Sequence, residues 1–446
     1  MIRNRDALLD HGNREARATL LDVARTAVEA VHPRRTVPAA VGLDGPRLRV
    51  GDRAYDLDAV ADVSVVGAGK GAAAVAAELS AILGDRLAGG VVAAKAGDPD
   101  AGVADAVAVI GAGHPIPDDR SLSAGGRALA VADAAGPDDL VLVPVTGGAS
   151  STLVAPAGDL TLDDLAATTE TLLAAGLRIE EINTVRKHCS AIKGGRLAER
   201  IAPATAVTLV VVDEVAGEPW GPTVGDATTF ADALDVLARH DLLDTVPRSV
   251  VRHLERGRDG AVAETPTDAD GHVVVLAGPA DAPEAAQARA VELGYESLIL
   301  STTVEGESRE VAACLAAIAD EAATYGRPAT PPCLLVSGGE TTVRVGAGGG
   351  EGGPNQEFAL ASALELDDDR VTTLALGTDG TDGPTDVAGG LVDATTVRRM
   401  ADRGLDARDH LRRHDATPAL RAVDDAVVTG PTGTNVMDLR LTLVAG

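Results

Sequence analysis

Residues 5–31 carry apolar side chains near helical spacing, among them Leu8, Leu9, Ala16, Leu20, Val23, Ala24, Ala27 and Val28, and predict a helix. Further along, the pattern changes to short β-branched runs, each followed by a Gly-rich turn and an Ala/Leu-rich helical stretch. The run 63–66 leads into Gly67-Ala68-Gly69-Lys70-Gly71 and then a helical segment. The run 140–145 leads into Thr146-Gly147-Gly148-Ala149-Ser150-Ser151, and the run 207–212 ends at Asp213. Similar runs recur at 273–276, 297–301, 333–336 and 372–376. Strands that are apolar throughout, rather than alternating, are covered on both faces, so the series predicts an α/β protein built on parallel sheets. The polar stretch 241–270 reads as a boundary, 325–332 as a second break, and the glycine-rich 346–354 as a loop.

Composition narrows the class. The 446 residues carry 39 Lys+Arg against 67 Asp+Glu, a net charge of −28, and that field repels nucleic acid and anionic membrane surfaces. Apolar residues make up 45% and mean hydropathy is +0.10, enough to bury a core. No apolar run approaches the roughly 20 residues that span a bilayer, and the polar start of the chain does not read as a secretory leader. Cys189, Cys314 and Cys333 are too scattered for a disulfide framework or a zinc site. The expected location is therefore the cytoplasm. Only four lysines occur, at 70, 95, 187 and 193, and acidic residues are spread evenly. Such charge costs compactness unless salt screens it, and at molar salt the Debye length falls to about 3 Å. This composition favours a salt-rich cytosol, as in a halophilic archaeon, over an ordinary acidic bacterial protein.

Turns at the carboxyl ends of parallel strands offer backbone N–H groups and short hydroxyls to an anionic ligand. Gly67-Ala68-Gly69-Lys70 lacks the third glycine of a dinucleotide fingerprint, since position 72 is Ala, and lacks the spacing of a P-loop. By itself the turn fits a phosphate site or a plain tight turn equally. Lys70 favours the first, because a point charge there suits a transferring phosphoryl group. The segment 183–200 gathers Arg186, Lys187, Lys193, Arg196 and Arg200 into a positive island that focuses anions, or into a solvated helix face. Asp213 and Asp379 end apolar strands, where a carboxylate suits Mg²⁺, base catalysis or simple turn capping. His114, before Pro115, is open to an acid–base or a structural role.

Several long motifs together carry a specific resemblance: VGAGKGAAAVA (66–76), GHPIPDDRSLSAG (113–125), TGGASSTL (146–153), EEINTVRKHCSAIKGGRLA (180–198), GPTVGDATTFADAL (221–234), SGGETTV (337–343), GGPNQEFALA (352–361), GTDGTDGPTDVAGG (377–390) and TGPTGTNVMDL (429–439). The chain resembles the glycerate 2-kinases with a C-terminal MOFRL domain. The resemblance implies a Rossmann-like parallel-sheet domain over 1–245 and a second α/β lobe over 246–446 that includes the MOFRL domain from about 330, with the site in the cleft between them. It implies ATP-dependent phosphorylation of D-glycerate at the 2-hydroxyl, with Mg²⁺ or another divalent ion. Lys70, Arg186 and Asp213 become the catalytic candidates, and Asp379 and Asp382 the metal ligands. Gly67, Gly69, His114, Gly147, Gly148, Ser150, Ser151, Lys193, Arg196, Ser337, Gly338, Glu340, Asn355, Thr434 and Asn435 become the substrate and ATP contacts. The expected partner is a small molecule, with a homodimer as a possible assembly.

Departures fall in site loops. Pro354 stands where the family pattern has arginine, so Arg344 or another cation is expected to substitute. Thr146 and Ala149 replace a serine and a glycine, and residues 212–223 are altered and shortened. Two other classes stay open: a nicotinamide-dependent hydroxypyruvate reductase, which the missing fingerprint disfavours, and a ligand-binding homologue without catalysis.

Overall fold

Strand after strand in the first half of the chain is apolar on both faces, and such strands stack side by side in the middle of a sheet. The computed structural model describes every residue except 99, 100, 216, 270, 346 and 347. Its contacts divide the chain into two units, Thr36–Val212 with Glu218–Leu276, and Met1–Arg35 with Asp213–Gly217 and Ala277–Gly446.

The first of these, the parallel-sheet unit, starts with a small antiparallel sheet of β1 (Val41–Asp44), β2 (Arg47–Val50) and β3 (Arg53–Asp56). Its main sheet contains β4 (Val63–Ala68), β5 (Leu87–Lys95), β6 (Val107–Ala112), β7 (Leu140–Val145), β8 (Thr205–Val211) and β9 (His272–Ala277), in the order β6-β5-β4-β7-β8-β9. The pairs from β6 through β8 are parallel, as expected. Successive residues feed opposite cores. Val65, Val92, Leu140 and Leu142 pack on one face, while Val66, Val91, Val141 and Val143 pack on the other. Helices cover both faces, which leaves the strand ends as the accessible part of the sheet.

The other unit holds a mixed sheet, in the order β10-β11-β15-β12-β13-β14: β10 (Glu296–Val304), β11 (Cys333–Gly339), β12 (Val371–Gly377), β13 (Gly389–Asp393), β14 (Ala426–Val427) and β15 (Asp438–Val444). Only β10 and β11 pair in parallel here, and β15 inserts antiparallel between β11 and β12. The expected all-parallel arrangement fails in this sheet because β12 passes to β13 through the loop 378–388, without a crossover helix. The amino-terminal helical pattern is interrupted at residues 9–13, giving helices Arg5–Leu8 and Arg14–Ala30. The second helix is tied into this unit by a buried network. Arg17 Nε donates to Asp393 (2.7 Å), its other nitrogen lies 2.9 Å from Asp425, and His11 Nε2 lies 2.8 Å from the same carboxylate.

The boundary expected at 245/246 and the division by contacts differ, because helix Arg248–Arg258 and β9 complete the parallel-sheet unit. Residue 270 of the polar stretch and residues 346 and 347 of the glycine-rich loop lie outside the described residues; 348–353 form no helix or strand. No helix among the described residues is long and apolar enough to cross a membrane.

Candidate functional site

In the parallel-sheet unit, β4 and β7 end side by side, and their turns brace one another. The Lys70 amide donates to the Gly147 carbonyl (2.7 Å), and the Gly71 amide to Thr146 Oγ1 (2.9 Å). Thr146, one of the departures, thus keeps the hydroxyl that the brace needs. A side chain at Gly69 (φ +117°) would place its Cβ 2.1 Å from the Thr146 carbonyl oxygen, so only glycine lets the turns approach. Gly148 (φ +87°) lies between the His114 ring and the Lys70 stem. A Cβ there would fall 2.8 Å from His114 Cδ2 and 3.4 Å from Lys70 Cγ. Three turns separated in sequence therefore bring Lys70, His114, Gly147 and Gly148 together. Ser150 is half-buried beside them on the short helix Ala149–Thr152. Ser151 is turned back, its hydroxyl donating to the Gly148 carbonyl (3.1 Å). Gly67 lies inside β4 against Val92 and Pro144, where it serves sheet packing.

The basic motif splits by direction. Helix Ile179–His188 carries Arg186 and Lys187 next to each other, about 100° apart around the axis. Lys187 donates to buried Asp226 (3.0 Å). Arg186 is half-buried and makes no hydrogen bond or ion pair with any described residue, and burial holds its guanidinium down at about 10. Lys193 Nζ donates to the Leu153 carbonyl (3.0 Å). Burial, with Arg186 nearby, pushes its ammonium down to about 7. Arg196 is turned to the carbonyls of Ala263 (3.1 Å) and Glu264 (3.3 Å), and Arg200 pairs with Asp133 on the surface. The turn at Gly194 and Gly195 is clamped from outside, because a Cβ on either would meet Thr265 or Pro266 at 2.8 Å. Asp226, which the sequence reading did not single out, anchors that clamp. It accepts from Lys187, Thr228 and Thr265 at once.

The mixed-sheet unit gathers a second group. Helix Pro354–Glu365 begins at Gly353, which has no side chain to cap it. Buried Asp382 does so instead, accepting from the backbone amides of Asn355 (3.0 Å) and Gln356 (2.8 Å) and from the Gln356 side chain (3.0 Å). Asn355 Nδ2 bridges Asp382 (3.1 Å) and Asp438 (2.7 Å). Burial beside Asp438 pushes the Asp382 carboxyl up to about 7, and burial raises Asp438 as well. Asp438 in turn pairs with buried Arg440 (2.6 Å), whose guanidinium also reaches Thr341 (2.8 Å) and lies over the Phe358 ring. Neither Asp438 nor Arg440 was foreseen. Their signal is two opposite charges spaced by two residues in an otherwise apolar strand, hence on one face of it.

Asp379 is half-buried and accepts from the Thr381 amide (2.9 Å). Among the described residues no group of three or more His, Cys, Asp or Glu is arranged to hold a metal ion. Ser337 and Gly338 lie at the end of β11, where Gly338 packs on Pro283, while Glu340 is exposed. Thr434 donates to the Val31 carbonyl (2.9 Å), a packing role, and Asn435 donates to Asp213 (3.0 Å). Of the residues 212–218, residue 216 lies outside the described residues. Arg344 is exposed and pairs with Glu307.

Residues 19–255 match a domain of unknown function, DUF4147, and residues 333–438 match the MOFRL family. The glycerate 2-kinase of Pyrococcus horikoshii is 39% identical over 424 residues, covering 94% of this chain and 95% of that protein. A putative hydroxypyruvate reductase of Agrobacterium vitis is 42% identical over 92% of this chain and 93% of its own length. Among solved structures, the glycerate kinase of Thermotoga maritima superposes with a TM-score of 0.81 at 34% identity, covering 96% of this chain and 99% of that one.

Proposed function

The chain belongs to the glycerate 2-kinase family whose members carry a MOFRL domain, and on that footing we infer that it transfers the terminal phosphoryl group of ATP to the 2-hydroxyl of D-glycerate. The observation that carries this reading is the convergence of the β4 and β7 turns on Lys70, beside His114 and the Gly147-Gly148 pair. Loose phosphoryl transfer asks for little covalent chemistry. It needs positioned charge, which Lys70 supplies on a rigid turn, and backbone N–H groups, which the glycine turn supplies. Asp213 is the candidate for accepting the proton of the hydroxyl, held in place by Asn435.

Asp382 does not fit the expected metal pair. Both oxygens of Asp382 accept N–H groups at the start of helix Pro354–Glu365, so its carboxylate has little left for an ion. A divalent ion enters this reading only as one carried by ATP. The salt-rich cytoplasm inferred from composition remains part of the reading.

The name of the Agrobacterium relatives favours a second reading, hydride transfer to hydroxypyruvate. One assay separates the two. Purified protein in concentrated KCl receives D-glycerate and ATP with Mg²⁺, or hydroxypyruvate and NAD(P)H. The kinase reading expects ADP and 2-phosphoglycerate, and Lys70→Ala is expected to cut that turnover by about a thousandfold or more with the fold intact. Oxidation of NAD(P)H without ADP formation overturns the reading, as does formation of 3-phosphoglycerate for the position of transfer.

A further inference from the structure

In a protein of net charge −28, a half-buried cation without a carboxylate beside it is out of place. Of the cations around Arg186, Lys187 is neutralised by Asp226, Arg200 by Asp133 and Arg239 by Glu181, while Arg196 is turned to the carbonyls of Ala263 and Glu264. Arg186 has no such partner among the described residues. Lys193, whose charge it repels, has only the Leu153 carbonyl among the described residues. We propose that Arg186 and Lys193 form the binding site for the carboxylate of the 2-hydroxy acid that this chain phosphorylates, an assignment that rests on the kinase reading above.

Two like charges partly withdrawn from water are costly, and a bound anion lowers that cost. The chemistry of the pair suits one carboxylate. The guanidinium presents a planar fork that takes both oxygens, and the ammonium adds a point charge with two protons still to give. One guanidinium and one ammonium neutralise a carboxylate and fall short of a triphosphate. Position agrees with chemistry. Leu153, the acceptor for Lys193, closes the short helix Ala149–Thr152 with its amide on the Ala149 carbonyl. That helix begins at Gly148, the glycine packed against the Lys70 stem. One six-residue segment therefore ties the carboxylate site to the phosphoryl site, as a substrate with hydroxyl and carboxylate on adjacent carbons requires. Asp226 and the clamp at Gly194-Gly195 fix where Lys193 starts, and Asp226 removes Lys187 from competition for the anion.

The test uses the full chain with Lys193→Met and Arg186→Met made separately, each checked for an unchanged circular dichroism spectrum and thermal midpoint. Each is expected to raise the KM for D-glycerate by about 10- to 100-fold, as expected for loss of one charge-assisted contact. The KM for ATP should stay within about threefold, and Lys193→Arg should recover most of the loss. Calorimetric titration of the nucleotide-free protein supplies a reading independent of turnover. The wild type is expected to bind D-glycerate but not glycerol, and the Met variants to lose that binding. Unchanged glycerate binding in both variants overturns the proposal. So does a rise in the KM for ATP alone, which would make the pair a phosphate site. Should the protein bind D-glycerate through this pair yet form no ADP, the kinase reading fails while the carboxylate site stands; absence of both fails both.

Discussion

At the scale of single residues, neighbours in sequence diverge in use. Lys187 is spent on Asp226, Arg196 on backbone carbonyls and Arg200 on a surface aspartate, whereas Arg186 and Lys193 are held unneutralised. The sequence shows a cluster of five cations but not which of them the fold turns aside, because that depends on partners 39 to 68 residues away. Lys193 makes the difference measurable in the ligand-free protein. Its folded ammonium titrates at about 7, below the ordinary lysine value that it regains on unfolding. Between those values the unfolded chain binds more protons than the folded one, so this group makes stability rise with pH. At pH 7 and below the full penalty is present; near pH 10 it has gone. Denaturant unfolding at pH 7.0 and 9.5 is therefore expected to show the wild type gaining about 1 kcal/mol relative to Lys193→Met, discounted from the full shift because the side chain is half-buried. Parallel pH profiles for the two proteins would remove the claim that Lys193 is held at the expense of its charge.

At the scale of elements, Asp382 shows how a motif aspartate can serve the fold. Helix Pro354–Glu365 starts on a glycine that cannot cap it, and a Cβ at Gly353 would collide with Asp382 at 2.4 Å. The cap therefore arrives from the loop after β12. Asp382→Ala leaves the backbone amides of Asn355 and Gln356 without their acceptor, at a cost of about 2–4 kcal/mol. A fall of several degrees in the thermal midpoint, alike with and without Mg²⁺, is the expected result. Loss of Mg²⁺-dependent turnover at an unchanged midpoint would restore Asp382 to the metal site. Elements that are apolar throughout were legible from the chain: β4, β7, β8, β11 and β12 each fall on a run read as a strand. The small sheet β1–β3 was not, since its strands are four residues long and mix charged with apolar residues. Nor was the pairing of β15 between β11 and β12, which joins the chain's last strand to partners far upstream. The turns around Lys70 were legible because strand and glycine turn are continuous in sequence. The cap by Asp382 was not, because its receiving helix begins 28 residues earlier.

At the scale of the whole molecule, the charge of −28 sets the conditions under which everything above operates. Many acidic side chains are exposed, and pairs such as Arg25–Asp22 and Arg289–Glu292 lie at the surface where each contributes little. Self-repulsion among unpaired carboxylates favours the expanded chain, and it acts on the folded state more than on the unfolded one because folding brings the charges closer. Salt shortens the range of that repulsion, to roughly 10 Å at 0.1 M and about 3 Å at 1 M. Over the same range surface ion pairs weaken, but with 67 acidic groups against 39 basic ones repulsion is the larger sum. Stability is therefore expected to rise steeply from millimolar to multimolar KCl, with a thermal midpoint higher by ten degrees or more. Binding of anionic substrates should follow the same trend until chloride begins to compete at Arg186 and Lys193. KCl and a neutral osmolyte of equal water activity tell screening from general exclusion effects, since only the salt shortens the Debye length. A midpoint that is flat in KCl, or that rises equally in the osmolyte, would detach the acidic composition from a salt-rich cytosol.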